Sequence, residues 1–127
     1  MDLAGRGRIL LVEDEEGVRN IATRLLMQRG YQVTSAGDGE EALEILQNDP
    51  NSFDLVLSDV VMPGLDGPGL LKAAKPYLGH ARIVFMSGYA EQDFAQTLED
   101  ERSISFLPKP FTLAQLAERV KTELAAA

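Results

Sequence analysis

The chain has 127 residues, 45% hydrophobic and 25% charged, a size and composition that fit one globular domain and argue against disorder. Its 20 acids against 12 bases leave a net charge of −8, which argues against nucleic acid or an anionic membrane as a direct partner and favours a cation. Absence of cysteine excludes disulfides and thiol catalysis, and with no apolar stretch near the roughly 18 residues of a membrane span and no apolar signal region in residues 1–7, a cytoplasmic protein is expected.

Residues 1–7 read as an N-terminal linker or arm and residues 8–127 as the folded domain. Strands are predicted at 8–12, 32–36, 55–58, 82–86 and 105–108, with a helical pattern in each interval. The first helix, over 16–29, repeats apolar residues at Val18, Ile21, Ala22, Leu25 and Leu26, an i, i+3, i+4 stripe, and Gly30 stops it. Asp38-Gly39 turns the chain into a second helix over 40–47 that buries Ala42, Leu43, Ile45 and Leu46, with Pro50 keeping it short. The third helix begins near Gly67-Pro68 and ends before Pro76. A fourth is predicted over 90–101, marked by Phe94, Ala95 and Leu98. The fifth opens with Thr112 and Gln115 at capping-box spacing and turns Leu113, Leu116, Val120 and Leu124 inward.

Alternating strands and helices with near-continuous apolar strands predict a parallel sheet covered on both faces, the flavodoxin-like doubly wound (βα)5 architecture. Pro108 cannot donate to a ladder, which places the last strand at an edge and agrees with the order 2-1-3-4-5. The crevice then falls beyond the carboxyl ends of strands 1 and 3. Glu13 and Asp14 follow the first strand there and Asp59 ends the third.

Three crowded carboxylates repel, and a hard divalent cation removes that penalty. Mg2+ takes oxygen ligands, commonly one or two carboxylates with water and a phosphate oxygen; Asp14 and Asp59 suit direct ligation, and the Val61 carbonyl is expected to add a third ligand. Single acids at such positions are also commonplace helix caps. Lys109 and Ser87 end the fifth and fourth strands on the same edge. Lys109 is either a solvated turn lysine or a partner for a carboxylate or phosphoryl oxygen. Ser87 either starts a turn before Gly88 or hydrogen-bonds such a group.

The runs Leu11-Val12-Glu13-Asp14-Glu15, Ser58-Asp59-Val60-Val61-Met62-Pro63-Gly64-Leu65-Asp66-Gly67, Met86-Ser87-Gly88-Tyr89 and Lys109-Pro110-Phe111 resemble the receiver domain of bacterial response regulators, over nearly the whole chain. The resemblance implies that Asp59 accepts a phosphoryl group from phosphohistidine, that Glu13 and Asp14 hold Mg2+ with Asp59, that Ser87 and Lys109 meet the phosphoryl group, and that Lys109-Pro110 is cis. Glu13 stands where the family commonly has Asp and is expected to act through water. Phe106 stands where the family has an aromatic switch residue, which with Ser87 would bias a two-state equilibrium; its alternative is core packing. Val61 and Tyr89 flank the expected path of attacking water, so both are candidates for tuning dephosphorylation.

The implied partner is a histidine kinase or a histidine phosphotransfer protein, docking on Val18, Ile21, Pro110 and Phe111; the alternative is that Val18 and Phe111 are ordinary core margin. The motifs look most like receivers at the C-terminus of hybrid histidine kinases, in which case the domain is the cytoplasmic part of a longer, membrane-bound protein. A monomer is expected. No separate kinase or output enzyme is legible, and any catalysis would be of the domain's own phosphoryl transfer and dephosphorylation. A degenerate receiver acting as a phosphorylation-independent binding module is the alternative. A flavodoxin is disfavoured because Glu13-Asp14-Glu15-Glu16 would repel a flavin phosphate.

Overall fold

Three stretches of this chain are apolar along their whole length, and such strands need a covered face on both sides. The computed structural model describes residues 5–88 and 104–125. Among these, β1 (Arg8–Val12), β2 (Gln32–Ala36), β3 (Leu55–Asp59), β4 (Arg82–Ser87) and β5 (Ile104–Pro108) form one parallel sheet in the order β2-β1-β3-β4-β5. The buried strands β1, β3 and β4 occupy the middle, while β2 and β5, with more polar and exposed positions, take the edges. This is the predicted order, with β5 at an edge. β3 and β4 each run one residue further than predicted, because Asp59 pairs with Met86 and Ser87 with Pro108.

Helices α1 (Glu16–Gln28), α2 (Gly39–Asn48), α3 (Gly67–Ala74) and α4 (Leu113–Ala125) divide between the two faces. Alternation along the strands makes two cores. Leu10, Val12, Val56, Ile83 and Phe85 point to Ala42 and Leu46 of α2 and to Leu70, Leu71 and Ala74 of α3. Ile9, Leu11, Leu55, Leu57, Val84 and Met86 point to Ala22 and Leu26 of α1 and to Leu116, Val120 and Leu124 of α4. α3 stops at Ala74, and the chain passes Pro76 in a 3-10 turn, Lys75–Tyr77. No helix among the described residues is long and apolar enough to cross a membrane.

The ends follow local chemistry. Gly30, at φ 99°, donates its N–H to the Met27 carbonyl while Tyr31 donates to Leu26, so α1 closes in a Schellman motif whose flanking side chains, Leu26 and Tyr31, are both buried. Thr112 and Gln115 exchange side-chain-to-backbone bonds of 3.1 and 2.8 Å, the predicted capping box of α4. Asp38 and Asp66 cap α2 and α3 through the N–H groups of Glu41 and Gly69. On α4, Glu123 is buried, with Arg82 Nε 3.1 Å from Oε2, Ser105 Oγ donating to Oε1 and Arg119 Nη1 at 3.8 Å.

Two inward assignments are corrected. Ile21 is 56% exposed because it lies about 120° round α1 from the buried residues Ala22 and Leu26. Leu113 shares the stripe of Leu116 but, one turn ahead of it at the start of α4, is 46% exposed. The helix predicted over 90–101, with Phe94, Ala95 and Leu98, and Tyr89 beside it lie outside the described residues.

Candidate functional site

Strand register decides which polar ends meet. Val12 pairs with Ser58, so Glu13 comes level with Asp59 on the neighbouring strand. Ser87 pairs with Pro108, and Lys109 donates its N–H to the Ser87 carbonyl at 2.7 Å. All four strand ends therefore deliver their side chains to one edge of the sheet.

Carboxylate oxygens of Glu13, Asp14 and Asp59 lie within 4.8 Å of one another, with Glu13 and Asp59 buried and Asp14 exposed. Glu13 is held at backbone and side chain: its N–H donates to the Ala36 carbonyl at 3.1 Å, its Oε2 accepts the Glu15 N–H at 3.2 Å, and its carbonyl accepts from Arg19 Nη1 at 2.8 Å. Lys109 Nζ lies 2.6 Å from Asp59 Oδ1 and 3.5 Å from Glu13 Oε1. The shorter contact is an ion pair without hydrogen-bond geometry, so both carboxylate oxygens of Asp59, like Ser87 Oγ, are buried and have no hydrogen-bond partner among the described residues.

Electrostatics follow from this crowding. Burial, and then the Glu13 side chain, push the Asp59 carboxyl from 3.8 up to about 8, against the opposing pull of Lys109. Burial works against the charge on Lys109, but Asp59 and Glu13 outweigh it and hold its pKa above the ordinary lysine value. A cation suits such a place. The donors are all oxygen, and the Asp59 oxygens, which accept no hydrogen bond among the described residues, are buried beside two further carboxylates, which fits a hard divalent ion.

The backbone beyond Asp59 is closed on itself. Val60 donates to the Met86 carbonyl at 3.2 Å, and Gly67 donates back to the Val60 carbonyl at 2.8 Å. Between them, Met62 is buried and Val61, whose carbonyl is the expected third ligand, exposes 59% of its surface.

Sequence comparison matches residues 9–121 to the response regulator receiver domain. The chain belongs to that family. It is 48% identical over 123 residues to the sensor kinase CckA of Brucella abortus (strain 2308), a match covering 97% of this chain but only 13% of that protein. It is 32% identical over 117 residues to sporulation initiation phosphotransferase F of Bacillus subtilis (strain 168), covering 92% of this chain and 93% of that one. The crystal structure of the receiver domain from the hybrid histidine kinase CckA agrees at a TM-score of 0.81 and 50% identity, over 93% of this chain and 99% of that chain. The likeness to a hybrid-kinase receiver is thus borne out, as is the receiver fold.

In this receiver Phe106 is half-buried, its ring centroid 6.1 Å from that of Phe85. Phe85 in turn lies against Gly67, where an added Cβ would stand 2.9 Å from its ring. Beside the crevice Glu15, Val18, Lys109, Pro110 and Phe111 line an open groove. Ile21 is exposed on the same helix as Val18, whereas Phe111 also packs on the core beneath α4. The Lys109-Pro110 peptide is cis. His80 pairs with Asp54 at 3.0 Å at the opposite end of the strands.

Two contacts near the site carry no signal in the sequence. Arg19 reaches the Glu13 carbonyl, and Glu40 reaches the loop after Asp59, with its Oε1 2.9 Å from Leu65 N. Spacing of 25 residues between helix and loop has no periodicity to betray it.

Proposed function

We propose that this receiver accepts a phosphoryl group from a phosphohistidine onto Asp59, in a Mg2+-dependent reaction, and then relays it or switches partner binding. The observation that carries this reading is the buried Asp59 carboxylate, which among the described residues accepts no hydrogen bond and is ion-paired to Lys109 beside two other acids. An oxygen of Asp59 attacks phosphorus, the P–N bond breaks, and its electron pair leaves with the imidazole. Attack needs the carboxylate form, which burial and Glu13 oppose and Lys109 favours.

Glu13, Asp14, Asp59 and the Val61 carbonyl would hold Mg2+, Glu13 through water. When bound, the ion supplies charge neutralisation for the carboxylates and for the phosphoryl oxygens. Lys109 offers its ammonium to the same oxygens, and Ser87 Oγ, which has no hydrogen-bond partner among the described residues, donates to one of them. Drawing Ser87 toward the phosphoryl group would open room for the Phe106 ring, coupling chemistry to the β5 and α4 surface. Val61 and Tyr89 would tune how fast water removes the group.

The donor is a histidine kinase or a histidine phosphotransfer protein, docking over Val18, Ile21, Pro110 and Phe111. An exposed Ile21 and the groove beside Lys109 support that surface. Likeness to CckA supports an origin in a hybrid kinase; a cytoplasmic location and a monomeric state are part of the proposal. Acetyl phosphate with Mg2+ should add the mass of one phosphoryl group to the wild type. It should add none to Asp59→Asn or in excess chelator; labelling of either would reassign the site, and no labelling of wild type would leave a binding module.

A further inference from the structure

We infer that Glu40, in the first turn of α2, is a positioning residue that holds the loop carrying Val61 against the acidic crevice. This rests on the Mg2+-dependent phosphoacceptor reading above. The loop over residues 61–66 has a fixed base, where Gly67 donates to Val60, and one buried anchor, Met62. Its far side, where Leu65 packs partly buried against the core, faces the start of α2. There Glu40 Oε1 accepts the Leu65 N–H at 2.9 Å.

The grip is steric as well as polar. Gly64 sits at φ 75° directly under the Glu40 carboxylate, and an added Cβ there would stand 2.5 Å from Oε1 and 3.3 Å from Cδ. On the adjoining residue of α2, a Cβ at Gly39 would stand 2.3 Å from the Leu65 carbonyl oxygen. Leu65 is thus held at its N–H by Glu40 and closely approached at its C=O by Gly39. The holder is itself anchored, since α2 is capped by Asp38 and buries Ala42 and Leu46 in the core.

Two duller roles exist for an acid at this place: favourable interaction with the helix N-terminus, and long-range attraction for a cation. Both need the charge. The positioning role needs only an acceptor oxygen, which glutamine also supplies. Titration of the full chain with Mg2+ alone, followed by calorimetry, separates them. Glu40→Ala should weaken Mg2+ binding about fivefold, whereas Glu40→Gln should stay within about twofold of wild type, the scale of one charge-assisted hydrogen bond at a partly exposed site. Exchange of the Leu65 amide, measured without metal, should quicken in Glu40→Ala and hold in Glu40→Gln. Equal losses in both variants, or no loss in either, would overturn the inference while leaving the site reading intact. A wild type that takes up no Mg2+ would overturn both.

Discussion

Lys109 Nζ stands 2.6 Å from Asp59 Oδ1, and the contact joins the ends of β5 and β3 across β4, strands that do not touch each other in the sheet. It is the contact that offsets two neighbouring carboxylates in a buried place. Lys109→Met keeps the stem and removes the charge, so labelling of Asp59 by acetyl phosphate should slow at least about tenfold, or about 1.4 kcal/mol in barrier. An unchanged rate in an intact-mass time course would take Lys109 out of the chemistry.

Stability should depend on pH through Asp59. Its pKa is raised from 3.8 to about 8 on folding, so the unfolded chain ionises this group first. The stability it contributes is full below the unfolded value and is lost as pH rises through the folded one. In chelator, Asp59→Asn should therefore be more stable than wild type, by a margin that grows from about pH 5 to about pH 8. Urea titrations that run parallel across that window would contradict the assignment. Added Mg2+ should stabilise wild type more than the variant.

Docking should be separable from chemistry at Ile21. Its side chain is 56% exposed, so Ile21→Ser costs the fold little. We expect it, with Val18→Ala, to slow transfer from a phosphohistidine protein while acetyl phosphate labelling stays at the wild-type rate. Equal slowing with both donors would move the interface elsewhere. Phe111 is a poorer probe, since it also packs on the core.

Glu123 should matter for stability and not for labelling. Glu123→Ala leaves Arg82 and Ser105, on β4 and β5, without their acceptor at a half-buried site. A loss of about 2–3 kcal/mol is expected in urea denaturation, with the phosphorylated fraction of folded protein unchanged. A loss under about 0.5 kcal/mol would mean that water replaces the carboxylate without cost.

Much of this was legible because the deciding signals are local. Strands buried on both faces read as apolar runs, and a proline at residue 108 marks an edge; Gly30 and the Thr112-Gln115 pair mark helix ends within a few residues of themselves. The crevice was legible because a parallel sheet puts every strand end on one side, so Glu13, Asp14, Asp59, Ser87 and Lys109 needed only the strand order to meet. What failed were inferences needing the third dimension. Ile21 fits an apolar spacing but faces the wrong way, Leu113 lies on the inward stripe yet is exposed in the first turn, and Glu123 looks like a solvated helix acid although its partners stand 41 and 18 residues away. Glu40 is invisible for the same reason.

β3 is paired by β4 along its whole length and by β1 over Leu55–Ser58, and all five of its residues are buried. Amides in such a strand exchange with solvent only through global unfolding, whereas loops and terminal turns open at far smaller free energies. The proposed nucleophile, Asp59, is therefore expected to be fastened to the slowest-exchanging part of the molecule, while residues 61–66 belong to its loop periphery. Local breathing can detach the accessory groups without moving Asp59. Damage to the central strands should consequently remove fold and labelling together, and damage to the loop should slow labelling in a protein whose slowest amides are as protected as before.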